Sequence, residues 1–592
     1  MKKLQFLVVL ALLLAMSATV FAAAGADQGG AAGAQPVTAY SLPRNQTLYF
    51  NGIQWSAPRG NSPYANNNNG FAENGHRQLQ FETLFVYNLL DGKLYPQIGD
   101  SYSWSGQTLT VQINPNVKFS NGTPLTSADV VYCFDLAKKY SIGPSGYWTY
   151  LDSVTAQGNY TVVFKGKAPP NFNMKQMEQA ISEVSITSKA YWESKIASGD
   201  LGSNPSDLIN FMGWDCVGTG PYKLFYYDET KLVAIRNDDY WGKHPSRYGK
   251  LPAPKYIAHN GYKDNATGDE AFRRGEVDMS QQFIAQVWRM WEQGAAVETY
   301  ISQPPYYMPG VIPSIIFNTT KPGLDDKAVR KAIAMVLDYD MIGTNAMSGY
   351  TAKKQASMML PLPSEQALID LNALKPQQWE GIDVTGANRI LDQAGWTRGA
   401  DGIRAKGGTK LSFKVECPQG WSDWNASLEV VAQAGRGIGM DLTTYFPDAG
   451  VWTDDRLNGT FDIIMDSPGG QGISSPWSRA YSMMYSKYLP PRGTPNAIGN
   501  WGRYSNARAD QIIDAIPNET DAAKLKALWT ELNQIYLDEM PCAGLMYRPW
   551  VFHTVNSSVW TGFPKLNDGS NVPPTILING YGIKALYNLK LK

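Results

Sequence analysis

The clearest pattern in the chain is an alternation of apolar and polar residues that changes into a helical repeat. Apolar side chains occupy every second position over 109–113, the period-two pattern of a half-buried strand. Asn121-Gly122 favours a tight turn because both residues tolerate positive φ. Thr126 or Ser127 can cap a following helix, and Asp129 suits its first turn. The segment therefore predicts a strand, a turn and a capped helix.

The same two periods recur along the rest of the chain. Alternation predicts strands over 47–53, 101–104, 160–164, 545–554 and 559–563, and two more within 217–237. A helical repeat or a continuous apolar run predicts helices over 79–90, in the last part of 315–338 and over 525–538. Strands and helices mixed in this irregular order indicate an α/β fold of two lobes rather than a barrel of alternating units.

Length and charge narrow the class of protein. A chain of 592 residues is long enough for two or three domains. Lys plus Arg and Asp plus Glu number 52 each, so no broad basic field predicts a nucleic-acid partner or an anionic membrane surface. Only 18% of the residues are charged, which favours a neutral ligand.

The N-terminus has the pattern of an export signal. Lys2-Lys3 precede an apolar run over 4–14, and small residues follow at 22–24. This pattern predicts a secretory signal peptide over 1–22 and a disordered Gly/Ala tail over 23–39. The alternative, a membrane anchor, is disfavoured because the apolar run is shorter than a span. No cysteine follows the run for lipid attachment, so we expect a periplasmic protein.

Metal chemistry has little support in the sequence. The four cysteines, Cys133, Cys216, Cys417 and Cys542, have no metal-ligand spacing, and the chain has only four histidines. We therefore expect no metal and no cofactor. In an oxidising compartment the cysteines could form disulfides or remain buried thiols, and the sequence leaves both possibilities open.

Several sequence blocks, in order, resemble one family. VKFSNGTPLTSADVVYCF over 117–134 is followed by matching blocks at 217–242, 270–278, 315–338, 387–396 and 504–514. These blocks resemble the peptide- and nickel-type solute-binding proteins of ABC importers (family 5, three-domain cluster C). The resemblance implies a two-lobed periplasmic-binding-protein fold (type II) with an extra β-rich subdomain.

The resemblance also implies domain bounds and partners. Lobe I would comprise 40–85, 212–305 and 546–592, with the extra subdomain over 86–211 and lobe II over 306–545. Two crossing segments near 306–316 and 546–555 would form a hinge. A monomer would bind a small ligand between the lobes by hinge closure and deliver it to ABC permease subunits in the inner membrane.

Catalytic patterns are absent from the sequence. It has no GxSxG, HExxH or P-loop motif. Acidic pairs such as Asp325-Asp326 are adjacent, so their side chains diverge. We therefore expect a binding protein and not an enzyme, with a secreted glycoside hydrolase as a remote alternative, since sequence spacing does not exclude two carboxyls across a cleft.

Tryptophan is abundant and is placed in polar loops. The chain has 18 Trp and 33 Tyr. Trp241 and Trp396 occupy positions that usually pack the core of the family. Other tryptophans stand beside Asn, Gln, Asp and Arg, which suits a sugar because an indole covers the apolar ring face and polar groups bind its hydroxyls. The candidate ligand-binding residues are Asn51, Trp55, Gln282, Trp288, Trp421, Trp424, Asp466, Trp477, Arg548 and Trp550.

Alternatives stay open at this stage. Loops are polar in any protein, and Trp288 with Trp291 is more often core than a ligand platform. In peptide-binding members an acid in the second lobe pairs with the ligand's α-amino group; Asp466 keeps that acid here, but the aromatic residue after it is lost. That loss and the NGIQW start at 51–55 resemble members that bind cellobiose and other β-gluco-oligosaccharides. The sequence therefore predicts an oligosaccharide receptor, with an oligopeptide receptor as the alternative.

Overall fold

Three main sheets and the helices packed on them make up most of the computed structural model. It describes residues 41–592 without 53–59, 65–76, 141, 170, 352–356, 380, 470–471, 497–498, 550–551 and 575–579. All of the elements given below belong to one unit, residues 44–592.

The first sheet has seven strands drawn from distant parts of the chain. Its strands, in spatial order, are Val297–Thr299, Thr554–Asn556, Met279–Ser280, Thr47–Asn51, Tyr256–Asn260, Lys231–Arg236 and Tyr222–Tyr227. Thr47–Asn51 runs parallel to both of its neighbours. It reads as an almost continuous buried run because a central strand is covered on both faces.

The second sheet has five strands. In spatial order they are Asp441–Tyr445, Ser412–Glu416, Ile463–Asp466, Ser314–Phe317 and Cys542–Gly544. The first three strands are mutually parallel, and Ser314–Phe317 is antiparallel to both of its neighbours. The helix Ser422–Gly437 crosses over between two of the parallel strands, as such a connection requires.

The third sheet is antiparallel and has its own core. Its strands, in spatial order, are Gly99–Ser105, Thr108–Ile113, Thr161–Gly166 and Leu151–Gln157. Apolar side chains from this sheet pack against the helices Ser127–Tyr140 and Met174–Glu183. Three short sheets complete the pairing: Phe85–Asn88 with Lys93–Pro96, Trp560–Thr561 with Lys590–Leu591, and Thr397–Arg398 with Arg404–Lys406 and Thr409–Lys410.

Helices fill the connections between the strands. The remaining α-helices are Arg77–Gln80, Lys189–Ala197, Pro205–Ile209, Asn265–Arg273, Trp288–Glu292, Lys327–Met335, Tyr339–Met341, Pro363–Gln366, Leu371–Leu374, Val384–Gln393, Ala449–Asn458, Trp477–Met484, Ala507–Ala515 and Ala522–Glu539. Short 3-10 or π segments are Arg44–Gln46, Gly143–Thr149, Trp241–Lys243, Ile342–Ala346, Lys375–Gln377, Ile516–Asn518 and Tyr581–Tyr587.

The two segments predicted to cross between lobes pair with each other. The amides of Gly310 and Val311 both donate to the carbonyl oxygen of Arg548 at 2.9 Å, and the Arg548 amide donates to the Val311 carbonyl at 3.1 Å. This bridge lies between the second sheet and the strand Thr554–Asn556 of the first sheet. It is the geometry that a two-stranded hinge needs. The predicted domain bounds themselves stay a prediction.

Most sequence-predicted elements are confirmed, and two are wrong. The strand predicted over 545–554 is instead replaced by two short strands, Cys542–Gly544 and Thr554–Asn556, on either side of an isolated bridge at Arg548. The capped helix begins at Ser127, where the Thr126 amide donates to the Asp129 carboxylate at 2.9 Å. The helix predicted over 79–90 is instead a single turn, Arg77–Gln80, followed by the strand Phe85–Asn88. A short apolar run fits either structure, and here backbone pairing with Lys93–Pro96 decides for the strand.

The cysteines are free thiols, which settles the open question for this structure. Cys133, Cys417 and Cys542 are buried, and Cys216 is half-buried. Trp241 and Trp396 are core residues, as predicted, with 5% and 4% exposure. Within the described part of the chain, no helix is both long enough and apolar enough to span a membrane.

Candidate ligand-binding site

The first part of the candidate site lies at the carboxyl edge of two parallel strands in the seven-stranded sheet. Asn51 ends one strand and stands opposite Ser280, which ends its neighbour. Both side chains are 0% exposed. The carboxyl ends of parallel strands are where open α/β sheets bind their ligands. Asn51 was predicted from the sequence as a binding residue, and Ser280 was not.

Polar atoms without partners gather at this edge. We call Asn51, Ser280, Gln281 and Gln282 the amide cluster. Asn51 Oδ1, Ser280 Oγ, Gln282 Oε1 and both polar atoms of the Gln281 amide are buried with no hydrogen-bond partner among the described residues. Each buried polar group left unpaired costs ~1–3 kcal/mol. The amide cluster can therefore bind hydroxyl groups, which both donate and accept.

The helix Asn265–Arg273 orients the Gln282 side chain. Gln282 Nε2 donates to the Asn265 carbonyl at 2.7 Å and to the carboxylate of Asp269. This approach is possible because the helix has Gly268 at the contact. A Cβ at that position would lie 2.4 Å from Gln282 Oε1 and 2.9 Å from Asn51 Nδ2.

Asp269 contributes little negative charge near neutral pH. Burial raises the pKa of this carboxyl to about 7, and the hydrogen bond from Gln282 opposes that rise only in part. A carboxyl with this pKa is protonated in about half of the molecules at neutral pH. The helix therefore presents no full fixed charge beside the amide cluster.

The second part of the site is a group of indoles beside the five-stranded sheet. We call Trp421, Trp424, Trp452 and Trp501 the indole cluster. The Trp421 ring centroid lies 5.0 Å from that of Trp424 and 5.7 Å from that of Trp452. Trp424 and Trp452 are each 5% exposed, whereas Trp421 and Trp501 are half-buried. The indole N–H groups of Trp424, Trp452 and Trp501 are buried and find no acceptor in the part of the chain described here.

A guanidinium joins the indole cluster to Asp466. The Arg456 guanidinium lies 4.7 Å from the ring centroids of both Trp452 and Trp501, a double cation–π contact. Its Nη1 donates to Asp466 Oδ2 at 2.7 Å, and the Ser467 amide donates to Oδ1 at 2.6 Å. Asp466, the acid predicted to receive the ligand, is therefore already compensated by a charge from its own chain.

Arg548 likewise forms an ion pair with an acid of the same chain. Its Nε donates to Asp423 Oδ2 at 2.7 Å, and its guanidinium lies 4.6 Å from the Phe552 ring centroid. The Asp423 side chain is only 2% exposed, whereas 16% of the Arg548 side chain remains accessible. Arg548 thus joins the hinge to the first turn of the helix Ser422–Gly437.

Arg479 and Glu365 form a third ion pair, in which a buried acid is again compensated by an arginine of the same chain. Arg479 Nη1 donates to Glu365 Oε2 at 2.8 Å and Nη2 donates to Oε1 at 3.1 Å, a bidentate arrangement. The exposures of the two side chains are 0% and 7%. Arg479 therefore offers no free cation to a ligand's carboxylate.

The other predicted residues are placed differently. Trp288 packs 6.1 Å from Tyr306 and 6.2 Å from Tyr350, in an aromatic group near the hinge. The Trp477 indole N–H already donates to the Ile513 carbonyl at 2.7 Å, and its ring contacts Tyr150 and Tyr481. Their binding role stays a prediction. Trp55 and Trp550 lie outside the described residues.

Two polar contacts connect the sheets on either side of the site. Asn265 Nδ2 donates to Ser422 Oγ at 2.9 Å. This bond joins the helix Asn265–Arg273, which follows a strand of the first sheet, to the helix Ser422–Gly437, which follows a strand of the second. The Ser474 hydroxyl donates to Gln179 Oε1, which belongs to the helix that packs on the third sheet. These contacts are what a closed arrangement of the lobes would make.

Comparison with known proteins identifies the family. Residues 93–489 match the family described as bacterial extracellular solute-binding proteins, family 5. The chain belongs to this family.

Relatives of this family 5 protein have several named ligands. It is 22% identical over 461 residues to a probable peptide-binding protein YejA of Agrobacterium fabrum, covering 73% of each chain. It is 25% identical over 422 residues to the nickel-binding periplasmic protein of Escherichia coli, covering 67% of this chain and 71% of the relative.

Solved structures show the same fold. A mannohexaose-bound periplasmic oligopeptide-binding protein of Thermotoga maritima has a TM-score of 0.84 at 26% identity, covering 93% of this chain and 99% of that one. The nonapeptide complex of AppA from Bacillus subtilis has a TM-score of 0.73 at 19% identity, covering 92% and 99%. The predicted fold class, a type II periplasmic binding protein with mixed α/β structure, is confirmed.

Sequence reasoning missed several residues of the candidate site. They are Ser280, Gln281, Trp452, Arg456 and Trp501. Gln281 and Ser280 directly precede the predicted Gln282, so the run of three polar residues after a buried strand was a usable signal. Trp452 and Arg456 are four residues apart on one helical face, which is also typical of a surface helix, so only their contacts reveal the cluster.

Proposed function

We propose that this family 5 protein is the periplasmic receptor of an ABC importer and binds a neutral oligosaccharide. A cello-oligosaccharide or another β-gluco-oligosaccharide fits the site best. The observation that carries the proposal is the internal pairing of Asp466 with Arg456, which leaves the indole cluster with unfilled N–H donors and no net charge to offer. The protein binds its ligand without converting it.

Charge compensation separates a sugar from a peptide. A zwitterionic peptide requires a free anion for its amino group and a free cation for its carboxylate. The three acids Asp466, Asp423 and Glu365 each have an arginine partner from the same chain. An uncharged guest leaves these buried pairs intact, whereas a zwitterion would have to break one of them.

The unfilled donors and the half-buried ring faces suit a sugar ring. A pyranose has an apolar C–H face and a rim of hydroxyl groups. The half-buried rings of Trp421 and Trp501 can cover such a face, and each covered ring contributes roughly 1.5–3 kcal/mol. The indole N–H groups then donate to hydroxyl oxygens, while the amide cluster exchanges hydrogen bonds with hydroxyls from the other side.

The mannohexaose-bound neighbour supports a carbohydrate ligand, since it combines a TM-score of 0.84 with 26% identity. The alternative is an oligopeptide receptor, because relatives such as the YejA protein of Agrobacterium fabrum and AppA carry names of peptide binders. The two functions differ in the charge of the ligand, so they are experimentally separable.

Location and mechanism follow from the fold and the export signal. The predicted signal peptide and the periplasmic names of relatives support a periplasmic monomer that docks on inner-membrane permease subunits. Ligand bridges the amide cluster and the indole cluster and shifts the hinge toward the closed state. Moving that equilibrium from 1:99 to 99:1 requires about 5.5 kcal/mol of differential affinity, which two stacked rings and a few hydrogen bonds can supply.

A ligand panel tests the proposal. The secreted protein is titrated with cellobiose, cellotetraose, mannohexaose and tri-alanine, and binding is followed by calorimetry and by intrinsic tryptophan fluorescence. We expect saturable binding of a β-linked oligosaccharide with a raised melting temperature and no release of reducing ends. Binding of tri-alanine without any response to the sugars would establish the peptide alternative instead.

A further inference from the structure

We infer that Arg456 is the specificity-determining residue that makes this site select uncharged ligands, by masking the Asp466 carboxylate. The inference rests on the proposed function, because it explains why the ligand is neutral. It assigns to Arg456 a part that no sequence motif indicated.

The geometry holds Arg456 in place before any ligand arrives. The rings of Trp452 and Trp501 each lie 4.7 Å from the guanidinium, so the cation is confined on two sides. Its Nη1 is 2.7 Å from Asp466 Oδ2. The pair remains accessible, since 17% of the Arg456 side chain and 10% of the Asp466 side chain are exposed. A ligand can therefore reach it, but it meets a neutral pair.

Arg456 also offers a donor of its own. Its Nε is buried and has no acceptor within the described residues. This N–H adds to the three unfilled indole donors of the neighbouring tryptophans. Such donors recognise hydroxyl and ether oxygens, whereas an ammonium group would find no uncompensated anion there, because Asp466 is already paired with Arg456. Removal of Arg456 should reverse this preference, because the buried Asp466 carboxylate then lacks a partner and is stabilised by a cationic ligand.

The test compares ligands that differ in charge and little in shape. Wild type, Arg456→Met and Arg456→Met/Asp466→Asn are titrated at mildly acidic pH with cellobiose and with the β-1,4-linked disaccharide of glucosamine, whose amines are then protonated. Methionine keeps the apolar contact with both indoles. Arg508→Met serves as the matched control, since Arg508 forms a 2.7 Å pair with Glu531 on an exposed surface.

We expect wild type to favour cellobiose, and Arg456→Met to shift the preference toward the diamine by about ten- to a hundredfold, the range for a new charge-assisted hydrogen bond. The double variant should return to the neutral preference, and the control should behave as wild type. A folded Arg456→Met protein whose preference stays within about twofold of wild type overturns the inference.

Two further arms keep the test decisive. If Arg456→Met does not fold, Asp466→Asn replaces it: the unmasked guanidinium should then favour cellobionate over cellobiose, and an unchanged preference overturns the inference.

If the sugars fail to bind but tri-alanine binds, the proposed function has failed alone. The masking role is then measured with free and N-acetylated tri-alanine, where wild type should prefer the acetylated form and Arg456→Met the free amine; the opposite order overturns it.

Discussion

Replacement of Arg548 by methionine tests the idea that Asp423, like Asp466 and Glu365, is compensated by an arginine of the same chain. The substitution keeps an apolar side chain over Phe552 but removes the partner of Asp423, whose side chain is 2% exposed. Stranding a buried carboxylate costs about 3–5 kcal/mol. Asp423 lies in the first turn of a helix, which returns about 0.5–1 kcal/mol. Because 16% of Arg548 was accessible, solvent screens the pair, and we expect a net loss of about 2–3 kcal/mol.

The assay is urea unfolding of the ligand-free protein, followed by tryptophan fluorescence and far-UV circular dichroism. Coincident curves justify a two-state treatment. The double variant Arg548→Met/Asp423→Asn should recover most of the lost free energy of unfolding, since the asparagine carries no charge. Arg508→Met at the exposed pair provides the control and should cost less than about 1 kcal/mol.

The reasoning is refuted if Arg548→Met costs less than about 0.5 kcal/mol, or if the two substitutions are simply additive. The same variants also test the sequence-based prediction that Arg548 contacts the ligand. A loss of oligosaccharide affinity in Arg548→Met that the double variant does not restore would show direct contact, whereas recovery of affinity with stability would show that Arg548 positions the hinge.

Three further substitutions give separable outcomes. Gly268→Ala should leave the melting temperature unchanged but weaken oligosaccharide binding about tenfold, because its Cβ displaces the flexible end of Gln282 from Asn51. Calorimetry measures the affinity, and a large loss of stability with normal affinity would contradict the prediction. Trp452→Phe keeps an aromatic ring at this position but removes an unfilled N–H donor, so affinity should fall about two- to tenfold, and equal affinity would exclude that donor from the site. Burial, aided by nearby acids, raises the pKa of Glu416 to about 8, so wild type should lose stability as pH rises from about 4.5 to 8. Glu416→Gln should remove that loss and should be more stable than wild type by about 1–3 kcal/mol at about pH 9. Thermal unfolding measures the difference, and no gain in stability would refute the prediction.

Local patterns were sufficient for most elements of the fold. The alternation over 109–113 and the helix start at Thr126 and Ser127 depend on neighbours within a few residues, so the sequence predicts them correctly. The segment 79–90 failed because an apolar run carries no period, and its strand exists only through pairing with Lys93–Pro96. The family blocks indicated the two-lobed fold, which the comparison with known proteins confirmed.

The candidate site was determined in part by the sequence and in part by tertiary contacts. Residue type predicted an aromatic, polar site, with Asn51 and Gln282 among its candidates because each stands near a tryptophan in the sequence. Whether Asp466 faces a ligand as an uncompensated anion depends on Arg456. This residue is ten positions earlier in the chain, on the helix Ala449–Asn458, and its Nη1 lies 2.7 Å from Asp466 Oδ2. Sequence states which charges exist, whereas only the folded arrangement decides which of them neutralise each other, since Coulombic compensation depends on distance in space and on burial.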